Sequence, residues 1–281
     1  MGDKILIEKI KNRLPEGFER KLFLAAIGNL EDKANPLRFN NFAYATRELT
    51  RHVLKRLAPD QNVMGCNWYI EETGKEKGVS RRQRLYYAVQ GGLSDDFVQN
   101  QLNIDVLNIH KALRDAINKL SKHTHIEEAT FNTGKTQVDK MVEETIAAIY
   151  EIFNTMDDCR NSLVSALWEY IDSSLIDTAL SETITSIDKL ATHHSIEEIY
   201  TDKVYISEID TNFVYFMAEG SIGCELQWGS NSDLRRGDGA TVEESFPFHC
   251  KLWSPVDEPT NISTDENALC VDTTSWSEGT R

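Results

Sequence analysis

Apolar residues recur at three- and four-residue steps through most of the first 190 positions and then give way to strict alternation, so the chain reads as helices followed by strands. Residues 3–13 and 16–31 read as two short amphipathic helices separated by Pro15. Pro36 opens a longer helix through Leu57, since the fixed φ of proline suits a first helical turn. Along it Phe39, Phe42, Ala43, Leu49, Val53 and Leu57 form an apolar stripe with Thr46 as its one polar member, and Arg47, Glu48, Arg51, His52 and Lys55 occupy the other faces. The polar run 71–78 has the composition of an exposed loop. Ser80 is placed to cap a helix over residues 81–90 that Gly91-Gly92 closes, and Ser94 to cap 95–102, with acids in the first turn where the helix dipole favours them. Val106, Ile109, Leu113, Ile117 and Leu120 mark the buried face of a helix over 105–125. A very long helical pattern follows from Lys135 to about Leu190, with a break expected near Asp172-Ser-Ser174.

From Val204 the period becomes two. Residues 205–209, 213–217, 221–228 and a run carrying Phe246, Phe248, Cys250 and Leu252 predict a small antiparallel meander of about four strands, with turns at 210–212 and Glu219-Gly220 and a loop over 229–239. The closing residues are acidic and Ser/Thr-rich, and lack of structure is expected there despite the apolar run Ala268-Leu-Cys-Val271. The predicted fold class is mainly α and α+β overall. It comprises N-terminal helices over 1–34, a helical bundle over 35–200, a small antiparallel β domain over 201–256 and an acidic, flexible tail over 257–281.

Composition narrows the setting. The 281 residues, 40% hydrophobic and 27% charged, suffice for a sizeable core. No apolar run approaches the roughly 18 residues of a membrane span, and the first residues lack the apolar segment of a secretory leader, so a cytoplasmic protein without membrane contact is expected. Five scattered cysteines with no Cys-x-x-Cys pair predict reduced thiols without structural zinc or a disulfide framework, and with no dinucleotide fingerprint in the sequence no cofactor is expected. The net charge of −15 is unevenly spread: residues 1–125 hold 21 Lys+Arg against 15 Asp+Glu, and residues 126–281 hold 9 against 30. Any nucleic acid would therefore meet the N-terminal half.

Three clusters offer chemistry. On the helix over 105–125, His110, Arg114, Asn118, Ser121 and His125 share one stripe, with His123 beside them. A metal-independent ribonuclease needs a base for the ribose 2′-hydroxyl, an acid for the leaving oxygen and a cation for the phosphate, and two histidines with an arginine can fill those roles. His123 and His125 are two apart, so only an irregular helix end lets both face one phosphate. The second cluster is Arg47-Glu-Leu-Thr-Arg-His52, where Glu48 at i and His52 at i+4 predict a carboxylate orienting an imidazole. The third is Arg81, Arg82 and Arg84 with Tyr86 and Tyr87, cations for phosphates and rings for bases. Each also admits an ordinary reading: a solvated helix face for the first, an i,i+4 surface charge pair for the second, and arginines paired with Glu71, Glu72 and Glu76 for the third. His193-His194 with Glu197, Glu198 and Asp202 has metal-ligand types, but adjacent histidines diverge; Thr133-Gly-Lys-Thr136 lacks the earlier glycine of a phosphate loop.

The string Asn118-Lys-Leu-Ser-Lys-His-Thr-His125 resembles the end of a HEPN-superfamily helix with its Arg-x4–6-His motif, His125 taking the histidine place; the arginine positions hold Asn118, Lys119 and Leu120. Arg47-x4-His52 matches that spacing on an earlier helix. Over roughly residues 35 to 255, Asn35-Pro-Leu-Arg-Phe-Asn-Asn-Phe-Ala-Tyr-Ala-Thr-Arg-Glu-Leu-Thr-Arg-His52, Arg81-Arg-Gln-Arg84, Gln90-Gly-Gly-Leu-Ser-Asp-Asp-Phe97 and Ser245-Phe-Pro-Phe248 resemble the predicted nucleases associated with prokaryotic PIWI-type Argonaute systems. The resemblance implies a HEPN-like, dimer-forming helical bundle, an antiviral setting with a second defence-system protein as partner, and an endoribonuclease acting on RNA or single-stranded DNA. Its catalytic set would be His125, His123, Arg114, Asn118, His52 and Arg47, with Arg81, Arg82, Arg84 and Tyr86 holding nucleic acid. The alternative is a non-enzymatic accessory or sensor subunit, to which the arginine missing before His125 points.

Overall fold

The apolar stripe predicted for residues 36–57 becomes the centre of the first of two units, Met1–Cys159 and Arg160–Arg281. The computed structural model describes residues 2–71, 78–105, 107–108, 111, 114–115, 118, 121, 124, 126, 131, 134–181 and 183–278. In the first unit α1 (Gly2–Arg13), α2 (Phe18–Glu31) and α3 (Arg38–Leu57) are followed by the short α4 (Asp60–Gly65), α5 (Arg81–Gln90) and a π-helical turn, Phe97–Gln101. Leu107, Asn108, Lys111, Arg114, Asp115, Asn118 and Ser121 are helical as well. A 47-residue helix, α6 (Lys135–Ser181), begins in this unit and continues into the second.

Ile10 of α1, Leu14 just beyond its end, Phe23 and Ala26 of α2, Phe39, Phe42, Leu49 and Val53 of α3, and Val138, Ile146, Ile149 and Phe153 of α6 form one buried cluster. Each large side chain removed from water there contributes roughly 1.5–3 kcal/mol, and this packing, more than intrinsic propensity, holds helices of this length. α5 starts as predicted: Ser80 Oγ accepts from the Gln83 amide at 3.3 Å while Gln83 Oε1 accepts from the Ser80 amide at 2.9 Å. Gly91, with φ of +57°, ends the helix. Ser80→Ala is expected to lower stability by about 1 kcal/mol in urea denaturation.

In the second unit α6 is followed by α7 (Thr185–Asp188), β1 (His193–Ile209), β2 (Phe213–Trp228), α8 (Asn231–Arg236), β3 (Ala240–Pro255), β4 (Ser263–Val271) and α9 (Thr274–Glu278). The four strands pair antiparallel in chain order, with Ile222 opposite Phe246, Gly220 opposite Phe248 and Phe216 opposite Leu252. Alternate residues of β2 and β3 are buried, as are Leu163, Leu167, Ile171 and Leu175 of α6. Thr201 of β1 donates to Asp172 Oδ1 at 3.0 Å, and the Thr178 and Thr264 hydroxyls lie 3.1 Å apart, so the helix is fastened to both edge strands.

Four expectations are corrected here. α6 does not break at Asp172-Ser-Ser174, because Ile171 and Leu175 are fully buried on either side and Asp172 spends its side chain on β1. Glu219-Gly220 is no turn: the two predicted strands on either side are one, β2, and the glycine instead admits a close approach of β1. β1 begins at His193 and not near 205, since three register shifts and one exposed face blur its period of two. The acidic segment expected to be unstructured holds β4, anchored by Leu269 and by Val271 opposite Phe248. Among the described residues, no helix is long and apolar enough to cross a membrane.

Candidate functional site

With one face of α3 committed to the core, its remaining positions stand three and four apart on the outside and carry Tyr44, Arg47, Glu48, Arg51 and His52. Glu48 is the hub. Its Oε2 accepts from Arg51 Nε at 2.9 Å and its Oε1 from Arg47 Nη2 at 3.3 Å. Arg51 Nη2 lies 3.2 Å from His52 Nε2, and since a guanidinium only donates, a hydrogen bond here has the ring nitrogen as its acceptor. The His52 and Phe18 rings meet edge-to-face with centroids 5.0 Å apart, and Arg47 lies over the Tyr44 ring. Glu48, expected to orient His52 directly, thus acts one residue removed, through Arg51.

The outer nitrogen of Arg47 reaches across the fold. Nη1 donates to Thr124 Oγ1 at 3.4 Å, and Thr124 Oγ1 in turn donates to the Ser121 carbonyl at 2.8 Å. α3 is therefore joined to the tripeptide His123-Thr124-His125 through its middle residue, 77 positions away in sequence. His110, His123 and His125 themselves lie outside the described residues. Arg114 and Asn118 are exposed; Arg114 Nε pairs weakly with the adjacent Asp115 at 3.5 Å, and among the described residues no hydrogen bond or ion pair joins either to α3.

The Arg51 hydrogen bond holds the Glu48 carboxyl below its ordinary value of 4.5; burial opposes it as the next-largest effect, and the charge of Arg51 and the hydrogen bond and charge of Arg47 add to the lowering. A depressed folded pKa means stability that is complete above about pH 4.5 and lost as the pH falls through the folded value. Thermal melts between pH 6 and pH 3 are expected to show this loss, and Glu48→Gln to remove part of it. An unchanged pH slope in that variant would refute the assignment.

The arginine cluster of α5 divides. Arg84 is turned inward, donating to the Ala58 carbonyl at 2.7 Å and pairing with Asp60 at 2.6 Å, so it locks the junction between α3 and α4. Arg81 and Arg82 are on the surface, and the Arg82 guanidinium sits 5.3 Å from the Tyr86 ring centroid. In the second unit His194 Nδ1 lies 3.1 Å from Asp188 Oδ1, and the described residues hold no group of three or more metal-ligating side chains. Arg51, Tyr44 and Phe18 were not singled out from the sequence. Arg51 had a legible signal in its three-residue step from Glu48, whereas Phe18 belongs to another helix and had none.

No curated protein and no solved structure matches the chain. Two family models do, one over residues 11–149 and one over 156–277, each described as a predicted pPIWI-associating nuclease. The gap between them falls beside the junction of the two structural units at Cys159 and Arg160. Between them the matches take in nearly all of the sequence, and the chain belongs to the predicted pPIWI-associating nucleases, carrying both domains of that family.

Proposed function

We propose that the protein is a metal-independent endoribonuclease of a prokaryotic antiviral system, working with a PIWI-type partner, and that its site lies on the polar face of α3 beside Thr124. The observation that supports this reading is the Arg47–Thr124 hydrogen bond, which ties α3 to the residue that stands between His123 and His125 in the sequence. One imidazole, from His125 or His123, takes the proton of a ribose 2′-hydroxyl. The freed oxygen attacks phosphorus, the bond to the 5′ oxygen breaks, and a second imidazole, that of His52, protonates the leaving oxygen. The products are a 2′,3′-cyclic phosphate and a 5′-hydroxyl, with no further reactant needed. Arg47 stabilises charge on the phosphoryl oxygens, Arg114 and Asn118 contact neighbouring phosphates, and Arg81, Arg82 and Tyr86 guide the strand. The helical unit is read as HEPN-like and dimer-forming.

Labelled RNA and single-stranded DNA incubated with the protein, its partner and a chelator test the proposal. RNA is expected to yield cyclic-phosphate ends and DNA, lacking the 2′-hydroxyl, to stay intact. Cleavage only on addition of a divalent metal would overturn metal independence, and equal cleavage of DNA would overturn the 2′-hydroxyl mechanism. A second reading, an accessory or sensor subunit that binds without turnover, draws support from the ion pairs of Glu48 with both arginines and from Arg51 occupying His52 Nε2. Salt-sensitive binding with no cleavage in the partner's presence decides for it.

A further inference from the structure

We propose that a cleft beside α5 is a nucleobase pocket selective for guanine. This rests on the reading of the chain as one that handles nucleic acid, but it concerns a place apart from the α3 polar face. The cleft, about 270 Å³, is lined by Trp68, Ile70, Arg82, Gln83, Tyr86 and Asp95. Ligand clefts that enclose a whole small molecule start at roughly 300 Å³, so this one suits a base with its sugar and phosphate left at the rim.

Each wall has a defined chemistry. The Trp68 ring is fixed by its Nε1, which donates to the Gly91 carbonyl at 3.0 Å, and its centroid is 6.2 Å from that of Tyr86 at 46° between planes. Ile70 stands 76% exposed at the mouth, apolar surface that a stacked base would cover. Arg82 lies over Tyr86 at the same site, a cation for a phosphate at the rim.

Asp95 supplies the selectivity. Its Oδ1 accepts from Gln90 Nε2 at 2.7 Å, and Gln90, completely buried, also donates to the Leu93 carbonyl at 2.8 Å. The carboxylate is thus held from behind by a neutral amide. A half-buried carboxylate accepts only, and it calls for two adjacent donors on one flat edge. Guanine offers N1–H and the 2-amino group side by side. Adenine and cytosine present one amino group next to an acceptor, and uracil one imide N–H between carbonyls, so each sets a lone pair against the second oxygen of Asp95. Unstacked bases in single-stranded RNA are read this way, by aromatic stacking plus contacts to the Watson–Crick edge.

The four 5′-mononucleotides and guanosine, titrated separately into the full-length protein and followed by tryptophan fluorescence, test the proposal, with Trp68→Phe assigning the signal. GMP is expected to bind at least about 10-fold more tightly than AMP, CMP or UMP, the discrimination of one good bidentate contact. Asp95→Asn keeps an oxygen for Gln90, so its thermal melt should match wild type while the GMP preference disappears. Arg82→Ala should weaken GMP and leave guanosine unchanged. Equal affinity for the four nucleotides, a preference that survives Asp95→Asn, or no binding up to millimolar GMP overturns the pocket. Binding is read without turnover, so an inactive nuclease with a guanine preference, or an active one without it, separates this proposal from the catalytic one.

Discussion

His125→Ala is expected to lower RNA cleavage by roughly 10²–10⁴-fold, the contribution of one general acid or base. His52→Ala should fall in the same range if the two imidazoles divide the roles of base and acid, and the double variant should then be little worse than either single one, because groups acting as a unit are not additive. The wild-type rate should follow a bell-shaped pH profile, and each single variant should lose one limb of it. Arg47→Ala removes both the phosphate-binding cation and the tie to Thr124, and a loss of about 10²–10³-fold is expected, in line with removal of one transition-state donor. Its thermal melt should move little, as Arg47 contributes to no buried cluster and its ion pair with Glu48 is partly exposed. Loss of cleavage in His52→Ala alone would centre the chemistry on α3. Wild-type rates in both histidine variants would sink the proposed site altogether.

Gly220→Ala is expected to destabilise the second unit by about 3 kcal/mol or more, at the severe end for a single added methyl group. A Cβ at this position would lie 1.9 Å from the Tyr200 carbonyl oxygen of β1 and 2.8 Å from Cε1 of Phe248 on β3. The first contact sets the added Cβ against the backbone of a paired strand, so no rotamer change relieves it. The register shift of β1 between Thr201 and Lys203 occurs at this same level of the sheet. Gly28 is the control: it lies within α2 with nothing inside 4 Å of a built Cβ, so Gly28→Ala should add roughly 0.5–1 kcal/mol through helix propensity and reduced chain entropy. Urea denaturation of both variants gives the two values. A Gly220→Ala protein within 0.5 kcal/mol of wild type would contradict the strand spacing described above.

Residue order alone was enough wherever a local period records the outcome. The apolar steps of residues 36–57 correctly named the buried face of α3, Ser80 and Gly91 marked the ends of α5, and alternation from Ile222 to Trp228 and from Phe246 to Leu252 revealed two central strands. In each case the residues that decide the outcome are neighbours in the chain, and burial of one face imprints the period directly. Tertiary structure alone decided the rest. Asp172-Ser-Ser174 reads as a break until β1 supplies a donor to Asp172, and Gly220 reads as a turn until the Tyr200 carbonyl arrives beside it. β1 and β4 are edge strands whose weak or acid-rich patterns become strands only by pairing with a strong neighbour. The same holds for the chemistry. Arg47 and the histidines on either side of Thr124 were legible as separate motifs, and so was Arg82, but the Arg47–Thr124 bond and the meeting of Trp68, Tyr86 and Asp95 join residues from different segments. Periodicity says which side of a segment faces inward; which segment waits on the other side depends on packing the whole unit at once.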